Sequence, residues 1–113
     1  MNPHAIRLRR PWHCESTEGG LVWRRRFGRP TGLTPGQRVE LVIDGLPPAA
    51  SIALNGQLLP DRREEELGRS RFDVTGCLLA RNELAIRLPL PQAHPPSSPG
   101  TPPVQVVLEI VPG

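Results

Sequence analysis

Lysine is absent from this chain of 113 residues: all fourteen basic side chains are arginine, set against eleven carboxylates for a formal charge of +3. So small an excess does not demand a nucleic-acid partner, and GC-rich coding explains an all-arginine complement as readily as guanidinium chemistry does. Long hydrophobic runs are missing too. No apolar stretch approaches the roughly 18 residues that a membrane-crossing helix needs. The opening MNPHAIRLRR lacks the apolar segment of about 7–15 residues that marks a secretory leader, so a cytoplasmic protein without a membrane span is expected. Cys14 and Cys77 stand without a CxxC spacing, and in a reducing compartment both are expected as unpaired thiols.

The usual marks of catalysis are equally scarce. His4, His13 and His94 are dispersed and hold no metal-ligand spacing with either cysteine, so no metal is expected. No glycine-rich phosphate loop precedes a helix, and no cofactor is expected. Ser16, Ser51, Ser70, Ser97 and Ser98 lack a nucleophile-elbow context, which removes acyl transfer.

Turn formers, by contrast, are plentiful. Fifteen prolines and eleven glycines, with no apolar stripe of helical period, favour an all-β sandwich or barrel over a helical fold. A chain of this length buries about 65% of its unfolded surface, enough for one core, and a single domain over residues 1–113 is expected. The strongest local pattern is RVELVIDGLPPAASIALNGQLL, from Arg38 to Leu59. Val39, Leu41 and Ile43 alternate with Glu40 and Asp44, as in a half-buried strand. After the Gly45–Pro48 break, Ala50, Ile52 and Leu54 alternate in a second strand. Asn55-Gly56 then offers the two positive φ values of a tight hairpin, with Gln57 to Leu59 returning antiparallel.

Elsewhere, Ala5 to Trp12 alternates loosely as a first strand, Glu15 to Gly20 reads as a polar turn, and Leu21 to Phe27 reads as a strand. Trp23 shares a face with Leu21 and Phe27 and belongs in the core. Arg25 falls on that same face and needs a partner at the rim, such as Asp44 or Asp73, because an unpaired buried charge is costly. Residues 28–37 form a Gly/Pro loop, and Asp61 to Gly68 reads as an exposed charged loop or short helical turn. Arg71 to Thr75 is a short strand, with Thr75 placed to cap the following turn and Asn82 placed for a left-handed backbone. Glu83 to Leu90 and Val104 to Val111 alternate cleanly, on either side of a connector with six prolines at residues 91–103. The expected core is Val39, Leu41, Ile43, Ile52, Leu54, Phe72, Leu84, Ile86 and Leu88.

Taken in order, Trp23-x-Arg25-x-Phe27, Val39-x-Leu41-x-Ile43-x-Gly45, Ser51-Ile52-Ala53-Leu54-Asn55-Gly56, Phe72-Asp73-Val74-Thr75 and Asn82-x-Leu84-Ala85-Ile86 resemble one known pattern. It is that of the N-terminal sugar-binding domain of glycoside hydrolase family 2, the β-galactosidase and β-glucuronidase group. The resemblance covers about residues 20–90. It departs where Ala80-Arg81 stands before Asn82 and in the proline-rich insertion. It implies an antiparallel β-sandwich of seven or eight strands, of the jelly-roll, galactose-binding-like type, standing here as a separate domain. It also implies a non-catalytic role, because the family's paired glutamates belong to a barrel that this chain lacks, and Glu64, Glu65 and Glu66 do not replace them merely by being acidic.

Three roles follow, none of them enzymatic. A carbohydrate-binding module suits the resemblance. A protein-interaction or structural sandwich suits a free-standing domain whose PPSSPGTPP segment offers a polyproline ligand. Nucleic-acid binding rests on Arg24, Arg25, Arg26 and Arg29 alone. Recognition in a sandwich falls on loops, and the expected ligand site is Trp12 as a stacking surface, with Arg62, Arg63 and Glu65 as hydrogen-bonding groups.

Overall fold

The computed structural model describes residues 4–9, 11–59, 63–65, 68–89 and 104–112; the proline-rich connector at 91–103 lies outside them. Ten strands are found among these residues: β1 His4–Arg7, β2 His13–Thr17, β3 Gly20–Gly28, β4 Arg38–Asp44, β5 Ser51–Leu54, β6 Gln57–Leu58, β7 Arg63–Glu65, β8 Arg69–Asp73, β9 Arg81–Pro89 and β10 Gln105–Val111. They build two five-stranded sheets, in the orders β1-β10-β4-β8-β7 and β2-β3-β9-β5-β6. The pairings within both sheets are antiparallel. The molecule is a β-sandwich, as the alternation predicts.

The register explains which residues face inward. Across the first sheet, Ile6, Leu108, Leu41 and Phe72 stand side by side. Across the second, Cys14, Trp23, Ile86 and Ile52 do the same. These rows meet in one core that holds all nine expected residues, none of them more than 4% exposed. Burying each such side chain removes about 1.5–3 kcal/mol of apolar hydration.

Eight of the ten strands correspond to runs of alternating sequence, and the other two correct the sequence reading. Residues 15–17, read as the start of a polar turn, belong to β2, an edge strand paired to β3. Arg63–Glu65, read as a loop, is β7, an edge strand paired to β8. Both are polar because an edge strand is under little demand to bury side chains and gains from charge that discourages further pairing.

A third correction concerns β4. It lies at the centre of its sheet and is buried on both faces, with Glu40 and Val42 on the outer face 5% and 4% exposed. The Glu40 carboxylate accepts from Arg71 Nη1 at 3.2 Å, and the same nitrogen donates to Glu109 at 2.6 Å. Charge pairing across three strands permits burial here. The chain then crosses from β4 to β5 in the opposite sheet, so the two strands of the Arg38–Leu59 stretch face each other across the core rather than pairing.

Local devices fix the connections. Asn55 (φ 53°) and Gly56 (φ 81°) form the hairpin turn as expected. Gly20 is required by close approach: a Cβ there would run into the Leu88 carbonyl and sit 2.9 Å from Pro89 Cα. The turn after β8 is a single 3₁₀ turn, Thr75–Cys77, whose N-cap residue Val74 offers no side-chain bond. Asp73 takes the role expected of Thr75: its carboxylate accepts from the Thr75 N–H at 3.0 Å and hydroxyl at 2.7 Å. Thr75 Oγ1 instead accepts from Val39 N at 2.9 Å, pinning the turn to β4.

Candidate functional site

The outer face of the second sheet carries a cluster of charge. A strand shows alternate side chains on alternate faces, so with Trp23 wholly buried, Arg24 and Arg26 of β3 point outward. Register places Arg26 opposite Glu83 and Gly28 opposite Arg81 on β9. Glu83 is shared: its carboxylate accepts from Arg24 Nη1 at 3.3 Å and lies 3.6 Å from Arg26 Nε. Arg24 also reaches Glu15 on β2, at 3.2 Å.

Two clefts meet at Arg26 and Glu83. One, of about 630 Å³, is walled by Phe27, Gly28, Asn55, Ala80, Arg81 and Asn82. The other, of about 440 Å³, is walled by Pro11, His13, Arg24 and Arg25. Together they make one groove along the β3–β9 pair.

Arg25 has the inward parity of Trp23, and the sequence reading sought a carboxylate for it. Its guanidinium turns instead to backbone: Nε donates to the Arg9 carbonyl at 2.6 Å and Nη1 to the Arg26 carbonyl. Two carbonyls at the rim satisfy the charge, while Asp44 pairs with Arg69 and Asp73 serves the 3₁₀ turn.

The floor of the larger cleft is held by two asparagines. Asn82 is 3% exposed. Its Oδ1 accepts from Asn55 Nδ2 at 3.0 Å and Leu79 N at 2.9 Å, while Nδ2 donates to Leu79 O at 3.0 Å and Phe27 O at 3.4 Å. Asn82 thus lies inside β9 rather than in the left-handed turn expected of it; the side chain, not the backbone, makes the connection. Asn55 adds a second clasp: Oδ1 accepts from Glu83 N at 2.9 Å, and its own N–H donates to Glu83 O at 2.9 Å.

Of the residues expected as a ligand site, the structure describes the side chain of Trp12 and the backbone of Arg63 and Glu65. Trp12 is 4% exposed, sits in the core, and donates its Nε1–H to the Leu8 carbonyl at 3.0 Å. Burial of the indole outweighs exposure once its single donor is satisfied, so it presents no stacking surface. Arg62 lies outside the described residues. Arg63 and Glu65 belong to β7, at the edge of the first sheet opposite β1, the strand that leads into Trp12. Four strand spacings, about 19 Å, separate those edges. The groove residues missed by the sequence reading, Arg26, Arg81 and Glu83, carry one signal: alternation puts Arg24 and Arg26 on one face, and only the register brings Glu83 and Arg81 beside them.

Cys14 and Cys77 are free thiols. Burial, with a smaller contribution from the Glu15 carboxylate, raises the Cys14 thiol above its ordinary value of 9.0. Among the described residues no group of three His, Cys, Asp or Glu side chains is placed to hold a metal, and no helix is long and apolar enough to cross a membrane.

The fold and groove define a β-sandwich with a polar, arginine-walled outer face. The same fold occurs in a solved structure, the FMN-binding β-glucuronidase from Facaelibacterium prausnitzii L2-6. The superposition has a TM-score of 0.61 and 19% sequence identity, and covers 94% of this chain but 22% of that one. This chain therefore corresponds to less than a quarter of that enzyme's length. The likeness is one of fold. No family model matches the sequence, and no curated protein does.

Proposed function

We propose that this chain is a non-catalytic carbohydrate-binding module whose ligand lies in the Arg26–Glu83–Arg81 groove. The observation that carries this reading is the fold shared with a β-glucuronidase across nearly the whole chain. The groove supports it: a cleft of about 630 Å³ lies within the range of small-ligand sites. The non-catalytic part rests on charge. Glycoside hydrolysis uses two carboxyl groups roughly 5–9 Å apart across a cleft, and among the groove's described walls the carboxylate is Glu83, tied to two arginines. A cytoplasmic location belongs to the same proposal and is supported by the two free thiols.

A glycan array probed with the folded chain tests the binding. Retention of specific glycans, weakened by substitution at Arg26 or Arg81, is the expected result; an array without signal for a folded sample refutes it. Chromogenic glycosides are expected to show no turnover. One observation favours a second reading, protein interaction: Leu58 and Leu79 are 69% and 57% exposed. A defined partner whose capture is lost in Leu58→Ser and Leu79→Ser, beside a silent array, would establish that role instead.

A further inference from the structure

We infer that the groove takes an acidic glycan, one whose rings carry carboxylates; this rests on the reading of the chain as a carbohydrate module and names its ligand class. The aromatic residues argue against the commonest alternative. The chain has two tryptophans, two phenylalanines and no tyrosine. Trp12, Trp23 and Phe72 are 4%, 0% and 4% exposed, and Phe27 packs against the core. The aromatic on the groove wall is Phe27, half-buried against the core, which leaves little ring face to cover a neutral pyranose or to stack a nucleobase.

Neutral hydroxyl recognition by amides is excluded on similar grounds. Asn55 and Asn82, the amides that wall the groove, spend their side chains on each other, on the 3₁₀ turn and on the backbones of β3 and β9. Besides the exposed His13 of the smaller cleft, the side chains best placed to meet a ligand are guanidinium groups.

Four arginines, Arg24, Arg25, Arg26 and Arg81, wall the two clefts against the single carboxylate of Glu83. Arg24 and Arg25 are committed, to two carboxylates and to backbone carbonyls. Arg26 is held more loosely: its side chain is 89% exposed and its ion pair with Glu83 is 3.6 Å long. Arg81 is exposed and forms no ion pair among the described residues. The two are diagonal neighbours across the β3–β9 pair; Gly28, opposite Arg81, has its nearest atom 4.0 Å from where a Cβ would be. Diagonal positions stand about 7–8 Å apart, so two planar donor forks flank an open floor. Such forks pair bidentately with carboxylates. The cleft is sized for sugar units rather than for a duplex.

Titration calorimetry on the full chain, with three probes, tests the inference: an oligogalacturonate, the same oligomer methyl-esterified, and a single-stranded oligonucleotide of equal charge. The expected result is oligogalacturonate binding that falls with added salt, is absent for the ester, and weakens at least roughly tenfold in Arg26→Ala and in Arg81→Ala. Arg87→Ala, an exposed arginine of β9 that walls neither cleft, is expected to bind like the parent. Equal binding of acid and ester overturns the inference and leaves the carbohydrate reading standing. Acid binding unchanged in both groove variants places the ligand elsewhere and overturns it as well. Tighter binding of the oligonucleotide replaces it with nucleic-acid recognition. Failure of the acid and the ester alike, with circular dichroism showing an intact fold, removes both readings.

Discussion

Replacing Asn82 with alanine should be among the most destabilising changes available at a polar position in this protein. The amide is buried and satisfies four partners contributed by Asn55, Leu79 and Phe27, three of them at 2.9–3.0 Å and the fourth at 3.4 Å. At about 1 kcal/mol for each well-formed bond, Asn82→Ala is expected to cost about 3 kcal/mol. For a domain of this size that lowers the melting temperature by about 12 °C. Urea denaturation followed by circular dichroism measures the first figure and scanning calorimetry the second. Asn82→Asp sharpens the test. Its carboxylate keeps the two acceptor roles but turns an oxygen toward the Leu79 and Phe27 carbonyls, where the native amide donates. The ionised form is therefore disfavoured in the folded state and the folded pKa is raised. Stability of Asn82→Asp should rise as the pH falls through that pKa, because the protonated acid recovers a donor. A loss below about 1 kcal/mol in Asn82→Ala, or an Asn82→Asp variant with the parent's pH profile, would refute the view of Asn82 as the fastener of this corner.

Further outcomes follow from other parts of the fold. Gly20→Ala should destabilise by more than about 1 kcal/mol, since the added methyl meets the β9 backbone at Leu88 and Pro89; an unchanged urea midpoint would contradict that contact. Ile86→Ala, at 0% exposure, should cost about 2–5 kcal/mol, and a smaller loss would place Ile86 outside a tightly packed core. Arg71→Ala should cost about 3–5 kcal/mol by leaving Glu40 and Glu109 without it; an unchanged urea midpoint would contradict that role. The Cys14 thiol, raised by burial, should alkylate more slowly than free cysteine at pH 8. Because its folded value lies above 9.0, it should also withdraw stability as the pH climbs past that value, a dependence that Cys14→Ala abolishes.

The core was legible because alternation is a direct consequence of strand geometry. Val39, Leu41, Ile43, Leu84, Ile86 and Leu88 could face no other way once their runs were read as strands, and Asn55-Gly56 could make few other turns. What misled were segments whose composition answers to something beyond their own strand. His13–Thr17 and Arg63–Glu65 are polar because they are edges, a property of the sheet order and not of the segment. Glu40 looked like a solvent-facing residue, but its burial depends on Arg71 and Glu109, 31 and 69 positions away. The groove was the least legible part. Arg24 and Arg26 are conspicuous in the sequence, yet the character of their face depends on the β3–β9 register that brings Glu83 and Arg81 alongside. Trp12 shows the converse: a residue beside a proline at a strand end finds a carbonyl four positions back and is drawn inside.

Glu83 divides its labour in a way that bears on how such a module can change over time. Its backbone N–H and carbonyl are zipped to Asn55, while its carboxylate stands among the groove arginines. Architecture at this corner is held by main chain and by two amides, the buried Asn82 and the half-buried Asn55, neither of which the groove needs for its charge. Substitutions at positions 26, 81 and 83 can therefore retune or invert the potential of the groove without loosening the hairpin beneath it. The charge of this face and the geometry of its scaffold are thus set by different atoms of the same residue.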